Sequence, residues 1–171
     1  SVGWEAGVEQ GLAGGDVTLG ATWFASELDD EINGFVFDPA QGAFTADNVD
    51  GESERRGVEV LARARPAPDA ELVASATWLD ASEPDATGEL DEIRRPEWTA
   101  SLRGSVDFAA GRGSAWLGAT WTGEREDDDF ATFPATRVTL DDYVRVDATL
   151  TYRLRPNVKL WVRGNNLTDA D

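Results

Sequence analysis

The densest chemistry in the chain lies between Glu124 and Asp142. There Glu126-Asp127-Asp128-Asp129 runs directly into Phe130, with Phe133 three residues on. A run of carboxylates beside aromatics suits three kinds of chemistry. It can share a proton as an acid–base couple, hold a hard cation through oxygen ligands, or contact a large planar or phenolic ligand. The first has no supporting cast. The chain contains no His and no Cys. That removes histidine proton transfer, Ser–His and Cys nucleophile systems, the usual zinc sites and disulfides together. No Gly-rich phosphate-binding pattern is present either, so the chain does not read as an enzyme. Neither Asp127-Asp128-Asp129 nor Asp29-Asp30-Glu31 has the alternating spacing of an EF-hand loop, and no metal or cofactor is expected. Asp127, Asp128, Asp129, Phe130 and Phe133 remain as ligand-contact candidates. The plainer reading beside them is an acidic loop that water solvates.

The elements that must carry this loop read as β-strands. From Tyr143 to Leu154, Val144, Val146, Ala148, Leu150, Tyr152 and Leu154 alternate with Tyr143, Arg145, Asp147, Thr149, Thr151 and Arg153. Unbroken period-2 alternation marks a strand with one apolar and one wet face. Pro156-Asn157 breaks it, and Val158, Leu160 and Val162 resume the apolar side. The same pattern predicts strands over Val2–Leu12, Val17–Leu28, Arg55–Arg65, Glu71–Leu79, Arg95–Ala109 and Ser114–Gly123, eight in all. Extra strand is expected around Ile32–Phe37 and Ala43–Val49.

Connection lengths then alternate. The turns 13–16, 66–70, 109–113 and 155–157 are short, whereas 29–54, 80–93 and 124–142 are long and acidic. An up-and-down meander places all the short turns at one end and all the long loops at the other, as in outer-membrane barrels. The polar faces carry Glu59, Arg63, Arg65, Glu97, Arg103, Asp107, Arg145, Asp147, Arg153 and Arg163. Charges in mid-strand fit the wet lumen of a wide barrel better than a tight core.

The totals agree. The 171 residues carry a formal charge of -18, which excludes nucleic acid as a partner because no basic face can replace phosphate counterions. No run approaches the roughly 18 apolar residues of a membrane helix. A membrane barrel stays open, since alternating strands leave mean hydropathy unremarkable.

Four pieces resemble the C-terminal part of a TonB-dependent outer-membrane receptor barrel. They are Thr22-Trp23-Phe24 followed by Asp29-Asp30-Glu31-Ile32, the strand start Arg56-Gly57-Val58-Glu59, the pair Arg95-Pro96, and Asn166-Leu167-Thr168-Asp169. Asn165 and Thr168 depart from the Glu and Phe usual in the last motif. The resemblance implies an all-β fold, an antiparallel meander of about eight strands belonging to a 22-stranded transmembrane β-barrel. Residues 1–171 would be a partial barrel, roughly its fourteenth to twenty-first strands, with the plug domain, the earlier strands and the final strand absent. The Asn166 motif would open the outer loop leading to that final strand.

It further implies location in the outer membrane of a Gram-negative-type bacterium, in contact with outer-membrane lipid. The activity implied is import of a large scarce nutrient, such as an iron–siderophore or cobalamin, driven by the TonB complex through the plug. A rim this acidic repels an anionic chelate and favours a neutral or cationic ligand. Two other readings stay open. One is a self-contained eight-stranded outer-membrane barrel with a structural or adhesive role. The other is a soluble acidic β-sandwich binding module.

Overall fold

The structure is a computed structural model and describes residues 1–29, 32–48, 51–85, 88–131 and 135–170. Its strands are β1 (Val2–Leu12), β2 (Val17–Asp29), β3 (Ile32–Asp38), β4 (Ala43–Asn48), β5 (Glu52–Ala67), β6 (Ala70–Asp85) and β7 (Gly88–Asp91). β8 (Trp98–Phe108), β9 (Gly113–Thr122), β10 (Arg125–Asp129), β11 (Thr136–Leu140), β12 (Tyr143–Arg155) and β13 (Val158–Gly164) follow. The eight predicted strands form one antiparallel sheet in chain order, β1-β2-β5-β6-β8-β9-β12-β13, and β7 adds to the upper end of β6.

The register keeps every apolar face on one side. Ala6, Trp23, Val58, Trp78 and Trp98 form one continuous row across five strands. Phe108, Gly113, Tyr152 and Leu160 form another near the short turns. A one-residue slip anywhere would turn a whole strand's apolar set to the wrong face. The eleven residues from Trp98 to Phe108, with about 3.3 Å between successive residues and a tilt of about 40°, span about 25 Å, the height of an outer-membrane apolar band. The side chains of this band are exposed, among them Trp4, Val8, Leu102, Leu117, Leu150 and Val162.

No second layer covers either face. Among the described residues Val73 is the only buried hydrophobic side chain, at 8% exposure. A sandwich stores its stability between two sheets, and this chain has no such layer, so the soluble-sandwich expectation is overturned. The sheet is an open wall with β1 and β13 at its edges rather than a closed eight-stranded ring.

Two boundaries differ from expectation. β8 begins at Trp98 rather than Arg95. Pro96 has no N–H to give a ladder, and a turn at Ile93–Arg94, with Arg94 at φ 62, comes just before it, so Arg95 and Pro96 lie outside the strand. Glu97 is likewise at the rim, not mid-strand. The loops 80–93 and 124–142 also contain strands. β6 continues to Asp85 and pairs with β7, and β10 pairs with β11. Together with β3–β4, three hairpins rise at the long-loop end, as 29–54 alone was expected to do.

Candidate functional site

The candidate ligand loop is the β10–β11 hairpin. Cross-strand pairs Asp127↔Val138, Asp128↔Arg137 and Asp129↔Thr136 set its register, and the Thr139 hydroxyl donates to Glu126 at 2.9 Å. The acid run is not a free coordination site. Arg94 donates from Nε to the Asp127 carboxylate at 3.0 Å, and its backbone N–H donates to the Glu126 carbonyl at 2.7 Å. Arg137 lies 3.7 Å from Asp128 and 3.6 Å from Glu83 on β6, and it also donates to the Asp91 carbonyl at 3.3 Å. Asp129 accepts the backbone N–H of Ala131 at 2.8 Å and caps its own turn. Two arginines therefore clasp the β10–β11 hairpin to the β6–β7 hairpin.

A second knot lies at the foot of that clasp. Glu92 accepts from Arg55 at 2.7 and 2.9 Å and from Arg95 at 3.0 Å. Burial pushes the Glu92 carboxyl up, but the two arginines outweigh it and leave it below the usual value. Burial dominates at Glu83 and leaves it raised, against the pull of Arg137. The backbone N–H of Asp128 and then Arg94 hold Asp127 low. Between the hairpin feet lies a cleft of about 380 Å³ lined by Trp78, Glu92, Arg95, Glu124 and Arg125. Arg125 packs over the Tyr143 ring at 5.3 Å, and its Nη1 is buried without a hydrogen-bond partner. Among the described residues no group of three or more Asp or Glu is arranged to hold a metal ion.

Phe130 stands at the hairpin tip, 63% exposed. Phe133, Asp30 and Glu31 lie outside the described residues. Sequence reasoning passed over another aromatic tip. Phe37 and Phe44 face each other across β3–β4, ring centroids 5.4 Å apart, and both are exposed. It also passed over Arg94 and Arg137. The one signal for them was that they are among the few cations beside a long acidic stretch.

The family-motif residues make the following contacts in the wall. Arg56 pairs across the ladder with Asp80, donating at 2.7 and 2.9 Å. Gly57 is buried, and a Cβ there would collide with the Trp78 carbonyl oxygen and lie 2.6 Å from the Phe24 ring. Glu59 faces Thr22 and Thr77 on the polar face. Asn166 and Asp169 occupy φ 51 and 53, where a short polar side chain is tolerated better than most. Leu167 donates its N–H to the Val146 carbonyl at 2.8 Å. Thr168 donates from its hydroxyl to the Val144 carbonyl at 2.6 Å, a bond the usual Phe could not make.

At the membrane's upper edge Trp78 donates its indole N–H to Glu97 at 2.9 Å, and Trp121 donates to Asp142 at 2.7 Å. Aromatic bodies toward lipid with a polar contact at the tip are what a barrel girdle requires.

The comparisons with known proteins agree with this architecture. The chain is 28% identical over 152 residues to the vitamin B12 transporter BtuB of Vibrio cholerae serotype O1, a match covering 89% of this chain and 24% of that protein. Solved structures share the fold. The siderophore receptor PirA from Acinetobacter baumannii superposes with TM-score 0.75 at 16% identity, over 98% of this chain and 27% of its own. The pyoverdine outer-membrane receptor FpvA from Pseudomonas aeruginosa gives 0.73 at 19%, over 98% and 25%. The ferric-catecholate import receptor Fiu from Escherichia coli gives 0.71 at 20%, over 99% and 23%. The chain thus spans about a quarter of the length of these relatives. The family described as "TonB dependent receptor-like, beta-barrel" matches residues 1–167. The chain therefore belongs to the TonB-dependent receptor β-barrel family and is a wall of a Gram-negative outer-membrane barrel.

Proposed function

We propose that this chain is the C-terminal part of the barrel of an active-transport receptor, one that imports a large scarce nutrient with energy from TonB. The observation that carries the reading is the match to residues 1–167 on a wall whose apolar band is bounded by aromatic rows. The substrate class is a metal chelate or a comparable large nutrient. Vitamin B12 and a siderophore are the ligands named for proteins similar to it. A plug domain and further strands of the parent chain would complete the machine. The substrate crosses unchanged, and the named relatives are transporters and receptors, not enzymes.

Within this wall the proposed ligand contacts are Phe130, at the tip of the β10–β11 hairpin that Asp127, Asp128 and Asp129 shape, and Phe133, which lies outside the described residues. Because Arg94 and Arg137 neutralise part of the acid run, this rim repels an anionic chelate less than its sequence suggests.

The test is uptake by the source bacterium with the parent gene deleted. Cells should lose growth on one chelated iron or cobalamin source and regain it with the intact gene, but not when TonB is also deleted. Unchanged uptake of every such nutrient, or rescue without TonB, defeats the proposal.

A further inference from the structure

Charge is sorted along this wall in a way that ligand import does not use. Between Asp107 and Glu124, and again between Asp147 and Asp169, the sequence has no acidic residue, in a chain of net charge -18. These stretches hold the β8–β9 and β12–β13 turns with the strand segments beside them. They carry Arg112, Arg153, Arg155, Lys159 and Arg163, all exposed. The turns lie side by side, and Arg153 donates its backbone N–H to the Arg112 carbonyl at 2.7 Å.

An irregularity in the ladder divides these cations. Arg153 is opposite Lys159 on the polar face, and a register shift between Arg153 and Arg155 brings Arg155 opposite Val158, which continues the apolar row of Leu160 and Val162. Arg112 also lies on the apolar side, its guanidinium 5.8 Å from the Tyr152 ring centroid. Tyr152 stacks on Phe108 at 6.4 Å. The Phe108 ring covers Gly113 so closely that any Cβ there would collide with it. The result is a flat aromatic shelf at the end of the apolar band with Arg112 over it. Arg112 spends only its Nε, on the Ala109 carbonyl at 3.4 Å. Among the described residues neither Arg112 nor Arg155 meets a carboxylate.

We propose that Arg112 and Arg155, with the Phe108–Tyr152 shelf, seat the headgroup phosphate of an anionic phospholipid in the periplasmic leaflet. Short turns of an outer-membrane barrel face the periplasm, so the shelf stands at that leaflet's headgroup level. A guanidinium is weakly hydrated and its fork matches phosphate oxygens. The lipid's acyl chains then run up the same face over Leu150, Leu160 and Val162. The site requires only that this wall stands in the outer membrane, so a failure of the import reading leaves it intact.

The test uses the full-length receptor, delipidated in detergent, with native mass spectrometry after addition of phosphatidylglycerol or phosphatidylcholine of matched chains. Wild type should retain phosphatidylglycerol preferentially, each arginine contributing about fivefold. R112A/R155A should bring the two lipids near parity. R153A/K159A, the same charge loss on the polar face, should keep the preference. If the alanine pair fails to fold, R112Q/R155Q keeps the side-chain stems and should likewise lose the preference. Equal retention of both lipids by wild type overturns the proposal. So does an undiminished preference in R112Q/R155Q, an equal loss in R153A/K159A, or displacement of the lipid by inorganic phosphate.

Discussion

Arg94 donates to Asp127 across 33 residues of sequence, at 3.0 Å and from a backbone held at φ 62. That bond, with Arg137 between Glu83 and Asp128, makes one body of two outer hairpins. Each pair is partly exposed and screened by solvent, so the clasp matters for loop order rather than for the wall. R94A/R137A should leave the receptor's melting and heat-modified gel migration nearly unchanged, while amide exchange across 125–140 rises. Unchanged exchange there would show that the ladder of β10–β11 alone orders the hairpin.

The clasp and the knot at its foot should also respond to acid in two steps of opposite sign. Glu92 has a folded pKa below its ordinary 4.5, so its contribution is present above 4.5 and lost as pH falls through the lower folded value. Glu83 is raised above 4.5, so its protonated form is the one folding favours, and that contribution fades as pH rises through its folded value. Spin labels across Glu83 and Arg137 of the full receptor should report loosening at a pH above 4.5, where Glu83 takes up its proton. Labels across Arg55 and Arg95, which Glu92 ties together, should hold their separation until the pH falls below 4.5. Loosening of both at one pH would contradict the opposite shifts.

Gly57 is fixed by contact rather than by backbone freedom. Its Cβ position is filled by the Phe24 ring and the Trp78 carbonyl. G57A should cost about 1–3 kcal/mol through overpacking and lower the yield of folded barrel in the membrane. F24A/G57A should recover only part of that yield, because the carbonyl on β6 remains. Full recovery would place the whole clash on the ring.

How far the sequence foretold this molecule follows from what each strand faces. Where one side meets lipid and the other water, as along Val144 to Tyr152, period-2 alternation is forced and both strand and face are readable. The girdle was readable for the same reason, since Trp23, Trp78 and Trp98 all sit at apolar positions. Above the membrane both faces are wet and the signal vanishes, so β7, β10 and β11 read as loop. The clasp was invisible because Glu83 and Arg137 are joined only by the fold. The motif glycine was visible as a motif, but its reason lay on two neighbouring strands.

The Asn166 turn offers the most local test. Asn166 accepts the Ala170 N–H on its side-chain oxygen at 2.9 Å, donates from its amide to the Ala170 carbonyl at 2.9 Å, and gives its own N–H to Asp147 at 2.8 Å. The side chain thus closes a ring over a turn whose backbone it also tolerates at positive φ. N166G keeps the backbone conformation but loses the ring, whereas N166A loses both. N166A should therefore destabilise the receptor more than N166G, by about 1 kcal/mol, and N166D should fall between wild type and N166G, because a carboxylate can still accept from Ala170 but not donate to it. Thermal melting of the three purified variants ranks them. If N166G proves as damaging as N166A, the side-chain ring and not the backbone angle is what the position selects.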